Sequence, residues 1–482
     1  MDEKTPLVNS GPTTTSNTRL FLAVFSAVLG NFNFGFSLVY PSPVIPQLMV
    51  IDNPYLRMNT DQVAWFGSIF TLGAAAGGLG TMLLNDKVGR KLSIMLSAVP
   101  STVGYLLMGG AQMVWMLHLG RFLTGIAGGM TAASIPVYVS EISHPAVRGI
   151  LGSCPQITAV CGSLALYALG LVLSWQWLAV AGQVPVLIML VLLCFMPKSP
   201  RYLIAMGNDA DAHKALGWFR GPSANITAEF QRIQRSIASQ RKISWKELGT
   251  PFYYKPILIS GVMRFLQQMT GITPILVYLE PIFHLSRVSL EPKYDAALVG
   301  LVRLLSIVIA ASLMDKAGRK ALLFTSGFLM FLSTLSMSVY SHTTPCPSLN
   351  VTTIPLQNAP FDPSSLIPLI STMVIIFGYA MGWGPITWLL MSEVLPLAAR
   401  GVASGLCVAI SWLTAFVLTK LFMHVVEAWG LFVPFLFFSV VCVINIIFTA
   451  VCVPETRGRS LEEIENYFRT GRTFTIKETP ES

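Results

Sequence analysis

The chain is short of charge. Only 11% of its 482 residues are Asp, Glu, Lys or Arg. Soluble domains carry about 25%, so a water-soluble globular protein is excluded. Motifs for bound chemistry are missing too. There is no His-Glu-x-x-His and no Cys-x-x-Cys, and no Gly-Lys-Ser/Thr loop. The sequence therefore predicts no metal centre, no cofactor, no ATP drive and no enzyme. Of seven cysteines, six lie in or beside apolar runs and only Cys346 lies in a polar loop. One exposed cysteine excludes an internal disulfide framework. No Asp or Glu occupies the middle third of any long apolar run.

Apolar residues are what the chain has, 53% of the total. They come in runs at roughly 20–40, 63–83, 93–111, 117–139, 150–173, 177–196, 257–283, 295–314, 321–340, 366–391, 402–423 and 431–453. A membrane-crossing helix needs about 20 such residues. Hydrocarbon leaves the backbone no water, which forces helices. An all-α membrane protein with twelve spans follows, six on each side of a polar middle. The first run reads as a span, not as a cleaved signal.

The two halves repeat one plan. Asp86-Lys-Val-Gly-Arg90-Lys91 returns as Asp315-Lys-Ala-Gly-Arg319-Lys320. Glu141 followed by Arg148-Gly149 returns as Glu393 followed by Arg400-Gly401. The first pair of motifs is 229 residues apart and the second 252, so the second half carries 23 extra residues. They fall in a polar loop at 341–365. Internal repeats fix architecture before anything else does.

Lys and Arg collect on the cytoplasmic side of membrane proteins. Ten basic residues from Lys198 to Lys255, both Gly-Arg-Lys motifs and the tail from Arg457 share one side; only Arg57, Arg287 and Lys293 fall on the other. Both termini are thus predicted to be cytoplasmic. The net charge of +9 reflects topology and calls for no nucleic-acid partner. The expected domains are a tail at 1–18, a six-helix bundle at 19–196, a helical linker at 197–255, a second bundle at 256–453 and a tail at 454–482. Glu3-Lys-Thr-Pro-Leu7-Val8 resembles an acidic dileucine sorting signal. It makes a clathrin adaptor a candidate partner. Intracellular vesicles or the lysosome membrane become the expected address, with the plasma membrane as the alternative. Asn350-Val-Thr352 is a glycosylation pattern in the long outer loop.

The repeats, together with Pro197-Lys-Ser-Pro-Arg201, Gln267-Gln-Met-Thr-Gly271 and Pro454-Glu-Thr-Arg-Gly458, resemble the sugar-porter branch of the major facilitator superfamily. Within it the chain is similar to the facilitative hexose transporters of class III in solute carrier family 2. The resemblance implies a monomeric carrier that moves a hexose such as glucose or fructose by alternating access, with membrane lipid around it. It implies a sugar site at Gln156, Gln267, Gln268, Trp388 and Trp412, with Thr273 and Arg303 where the family has asparagine. Ala380 replaces a family glutamate, and Ser411 and Ala415 replace asparagines.

Physical chemistry agrees with parts of this. Amides offer sugar hydroxyls a donor and an acceptor, and aromatic rings offer a flat apolar face. On the cytoplasmic face, Arg90, Arg148, Arg201, Arg319 and Arg400 can pair with Asp86, Glu141, Asp315, Glu393 and Glu455 as a gate, because the Arg fork suits carboxylates. Gly30, Gly35, Gly271 and Pro274 in helices 1 and 7, and Gly125, Gly128, Gly129, Pro136, Gly378, Gly382, Gly384 and Pro385 in helices 4 and 10, predict broken helices around a central site. Arg303 lies roughly 18 Å from the cytoplasmic end at about 1.5 Å per residue, and intramembrane charges mark function. Its partner is left open between a glutamine oxygen, a backbone carbonyl and an anionic group on a substrate. Without a membrane carboxylate to load, uniport is the simplest mechanism. A carrier of a polyol or another small polar solute, and a non-transporting nutrient sensor, are the alternatives.

Overall fold

The computed structural model describes residues 17–222, 224–240, 243–286, 290–344, 362–396, 399–459 and 461–471. Glu3, Leu7 and Val8, Asn350, and the Asp315 side chain lie outside this description.

Among the described residues, eleven helices are long and apolar enough to cross a membrane. The first six run Thr18–Met49, Thr60–Val88, Arg90–Gly109, Val114–Ile142, Arg148–Leu169 and Trp175–Cys194. Short helices Pro200–Ala205, Asp209–Arg220 and Ile226–Ala238 follow. The last five spans are Pro292–Met314, Arg319–Thr343, Pro363–Val394, Arg400–Trp429 and Phe432–Cys452. The seventh of the twelve crossings is in pieces: Pro251–Met269, Ile272–Val277 and Leu279–Leu285. Gly271 separates the first two at φ +82°, a left-handed backbone that favours glycine. The result is two six-span halves, with the seventh span in pieces.

The breaks fall only partly where glycine and proline predict them. The seventh span breaks at Gly271, and the tenth breaks at Gly382–Gly384. The fourth runs unbroken through Gly125, Gly129 and Pro136. The first runs through Gly30 and Gly35 and breaks at Val39–Tyr40, ahead of Pro41. The glycines in these two spans serve close packing instead. A Cβ at Gly35 would lie 1.8 Å from the Ala159 carbonyl oxygen, and one at Gly129 would lie 2.2 Å from that of Ala74.

The halves meet along the second and eleventh spans and along the fifth and eighth. They close on each other at the end away from the Gly-Arg-Lys motifs. One apolar cluster there runs from Phe36, Tyr40 and Ile45 into Ile272, Phe283 and Phe422, across both halves. The Tyr167 hydroxyl donates to the Leu276 carbonyl at 2.9 Å, and the Glu280 amide donates to the Ser42 hydroxyl at 3.0 Å. At the motif end each half keeps its own cluster, Leu20 to Phe219 in one and Met263 to Val453 in the other. Ile150 and Val402 are exposed there, at matching places in the two halves.

Candidate functional site

The broken seventh span carries the centre. Its first piece brings Arg264, Gln267 and Gln268 to one buried face. The Arg264 guanidinium donates to the Gln267 side-chain oxygen and, at 3.3 Å, to the Ser411 hydroxyl. It also stacks over the Trp388 ring, 3.9 Å from the centroid. The Gln267 amide donates to the Tyr379 hydroxyl at 2.9 Å and to the Gly384 carbonyl at 3.3 Å. That carbonyl lies at the break in the tenth span. Gln268 donates to Ser411 at 3.0 Å and accepts from the Thr273 hydroxyl at 2.9 Å. Both amides are thus held by named partners, as buried amides must be. Thr273 and Ser411 both supply polar atoms to the network.

The other expected site residues lie around this network. Trp388 is 44% exposed. Trp412 meets Phe34 of the other half edge-on, with centroids 5.6 Å apart. Gln156 is exposed and lines a small cavity of about 60 Å³ with Ser153, Ile307, Ala380 and Pro385. Arg303 reaches across the halves, donating from Nη1 to the Ser163 hydroxyl at 3.2 Å. Its protein partner is therefore a serine hydroxyl of the fifth span. Sequence reasoning singled out neither Tyr379 nor Ser163, because hydroxyl residues are ordinary in apolar spans.

The motif end is built twice on one pattern. Arg90 pairs with Glu141 at 3.0 Å, and the Ser199 hydroxyl donates to that carboxylate. Arg319 pairs with Glu393 at 3.2 Å, and the Thr456 hydroxyl donates to it at 2.5 Å. Ser199 and Thr456 occupy the same place in their Pro-x-Ser/Thr motifs. Arg148 donates to the Ser143 carbonyl and Arg400 to the Leu395 carbonyl, each at 3.2 Å across five residues. Arg201 donates to the Ser236 hydroxyl at 3.4 Å, and Asp86 is exposed. Each ion pair therefore lies inside its own half. None of these gate residues bridges the halves in this conformation, among the described residues.

The copies differ in charge at the middle position of the Pro-x-Ser/Thr motif. Glu455 accepts from the backbone amides of Arg319 and Lys320 at 3.2 Å each, capping the ninth span. Lys198 stands there in the first half. A further anchor is Arg220, which forks onto Glu229 at 2.7 and 3.0 Å and donates to the Ile142 carbonyl at 2.6 Å. It ties the linker helices to the end of the fourth span. Burial, then the positive charges of Arg220 and Arg148, hold the nearby His144 imidazole below its ordinary pKa.

Residues 23–468 match the family described as Sugar (and other) transporter. Human "Solute carrier family 2, facilitated glucose transporter member 6" is 59% identical, over 96% of this chain and 94% of that one. Mouse member 8 is 40% identical, over 93% and 94%. The facilitated trehalose transporter Tret1 of Apis mellifera ligustica is 33% identical, over 96% and 92%. The inward-open xylose transporter XylE from E. coli shares the fold, with a TM-score of 0.76 at 23% identity over 93% of this chain and 99% of that one. The family match and the identities both span nearly the whole chain, and the chain belongs to the sugar transporter family on the major facilitator fold.

Proposed function

We propose that the protein carries a hexose such as glucose or fructose down its gradient by alternating access. The observation that carries this reading is the centre. Gln267, Gln268, Thr273, Ser411 and Tyr379 form one hydrogen-bonded network, tied to the Arg264 guanidinium, beside the half-exposed Trp388. It offers sugar hydroxyls donors and acceptors, and offers a C–H face an aromatic platform. Gln156 and Trp412 complete the lining.

The Lys and Arg distribution makes the motif end cytoplasmic, so the conformation is open to the cytoplasm. The ion pairs of Arg90 with Glu141 and of Arg319 with Glu393 brace each half as a rigid body. Arg148, Arg201 and Arg400 are the arginines left to meet carboxylates of the other half when this end closes. Exposed pairs are worth only about 0–1 kcal/mol, which suits a gate that must reopen. Uniport remains the simplest coupling. By sequence, residues 1–18 form a cytoplasmic tail carrying the adaptor signal at Glu3, Leu7 and Val8, Asn350 is glycosylated, and an internal membrane is the address.

Counterflow in proteoliposomes tests the reading, with labelled glucose and fructose, with and without a pH gradient. Hexose counterflow at zero pH difference is the expected result. Sugar binding without flux would instead identify a non-transporting sensor. One observation favours a second reading. Arg303 places a cation where a neutral hexose or polyol has no need of one, which suits a small polar solute bearing an anionic group, with Arg303 as the selector.

A further inference from the structure

We infer that the closed end of the molecule, away from the Gly-Arg-Lys motifs, carries a pH-sensitive latch, in which His424 pairs across the halves with Asp61 when its imidazole is protonated. This rests on alternating access and not on which solute the centre carries.

This pair stands apart from the other ion pairs. Arg90 with Glu141, Arg220 with Glu229, Lys293 with Glu291 and Arg319 with Glu393 each lie within one half or within the linker. His424 Nε2 lies 3.4 Å from an Asp61 carboxylate oxygen. Asp61 lies in the first turn of the second span, and His424 in the last two turns of the eleventh. Among the described residues it is the ion pair that joins the halves, so it exists only while this end is closed. Imidazoles ordinarily change charge between pH 5 and 8, a range in which ordinary carboxylates are ionised. Protonation therefore creates the attraction, and the attraction is lost as the pH rises and the proton leaves. The two side chains are 38% and 64% exposed, so the proton has a path from solvent.

The neighbours leave His424 as the group that switches. On its own span, Lys420 is held 3.6 Å from the Trp65 ring centroid, and the exposed Glu427 lies one turn on. Glu427 belongs to the same half, so pairing with it would favour neither conformation. The seventh span brings Tyr278, whose hydroxyl bonds to the Ala64 and Thr419 carbonyls. The twelfth span holds no Asp, Glu, Lys, Arg or His. In the loop leading into the second span, Asp52 is exposed and Arg57 donates to the Ile51 carbonyl at 3.1 Å. From the fourth span, His118 faces the same carboxylate as His424 does. Its Nδ1 is buried without a hydrogen-bond partner, and a charged N–H left that way is costly. The His424 proton comes from, and returns to, one side of the membrane in either conformation. The latch therefore regulates a uniporter without coupling it to protons. An acidic compartment on that side favours the form open at the motif end.

The test uses the purified full-length protein with its native cysteines replaced and spin labels at Ile150→Cys and Val402→Cys, at the motif end and remote from the latch. Exposed ion pairs shift an equilibrium by up to about fivefold. Without sugar, the ratio of molecules open to molecules closed at the motif end should rise about two- to fivefold between about pH 7.5 and about pH 5.5. Salt at about 1 M should shrink that rise. His424→Gln and Asp61→Asn should each remove most of it, and the double variant should match either single one. His424→Arg should hold the acid ratio at both pH values, and Glu427→Gln should leave the rise in place. No rise in the protein with His424 and Asp61 intact would overturn the inference. So would a full rise that survives His424→Gln or Asp61→Asn, or one removed by His118→Gln and not by His424→Gln. No solute is added, so these outcomes are independent of the hexose reading. Absence of hexose counterflow with the pH response intact would refute the hexose reading alone.

Discussion

At the scale of residues, glycines decide how closely backbones approach. Gly271 needs its φ of +82°, and a Cβ there would lie 2.3 Å from the Phe438 ring. Forcing a side chain into that backbone costs about 1–2 kcal/mol, and overpacking adds about 1–3 kcal/mol. Gly271→Ala should therefore lower the melting temperature in detergent by several degrees and reduce transport. Gly149 sits in open space at the motif end, so Gly149→Ala should shift stability by no more than about 0.5 kcal/mol. Equal effects in the two variants would contradict this account of the break. Gln267 and Gln268 were legible in the sequence because buried amides stand out in apolar runs. Tyr379 and Ser163 were not, because a hydroxyl in a span reveals its partner only once the helices are packed.

At the scale of elements, each Gly-Arg-Lys motif turns one span into the next, and its Arg reaches back to the Glu of the fourth or tenth span. The repeat made the existence of these elements legible, and almost all twelve crossings follow from apolar length alone. The breaks were less legible. Gly30, Gly35 and Gly129 have the composition of hinges but are used for helix contact. The true break in the first span sits at Val39–Tyr40, just before Pro41. The partners of the gate arginines were also hidden, since one sequence permits pairing within a half or across halves. Ser199 and Thr456 could have been found by aligning the two Pro-x-Ser/Thr motifs. Glu455 caps the ninth span, and carboxylates at helix N-termini contribute about 0.3–1 kcal/mol. Glu455→Gln should therefore lower stability by about that amount, read from chemical or thermal denaturation. Lys198→Gln, at the matching place in the other half, should not lower it. A larger loss at Lys198 than at Glu455 would contradict this account of the cap.

At the scale of the whole molecule, the closed end is held by contacts between the second and eleventh spans. Lys420 sits 3.6 Å from the Trp65 ring centroid, Phe416 packs 6.0 Å from the same ring, and His424 lies 3.4 Å from Asp61. A cation–π contact at an exposed site contributes about 0.5–1 kcal/mol, a factor of about two to five in an equilibrium. Lys420→Ala should favour opening of this end by that factor. The check is maleimide labelling of a cysteine at the buried Ile45, which should speed up accordingly. An unchanged rate would remove these contacts from the gate.

The central mechanical claim is that two braced halves rock about the site, so one end closes as the other opens. The direct test is a pair of spin-label distances, measured in a background with the native cysteines replaced. One pair sits at Ile150→Cys and Val402→Cys at the motif end, the other at Tyr55→Cys and Glu427→Cys at the far end. Adding a transported sugar should shorten the first distance and lengthen the second in the same fraction of molecules. Both distances moving in the same direction, or the motif end staying open at saturating sugar, would contradict the account.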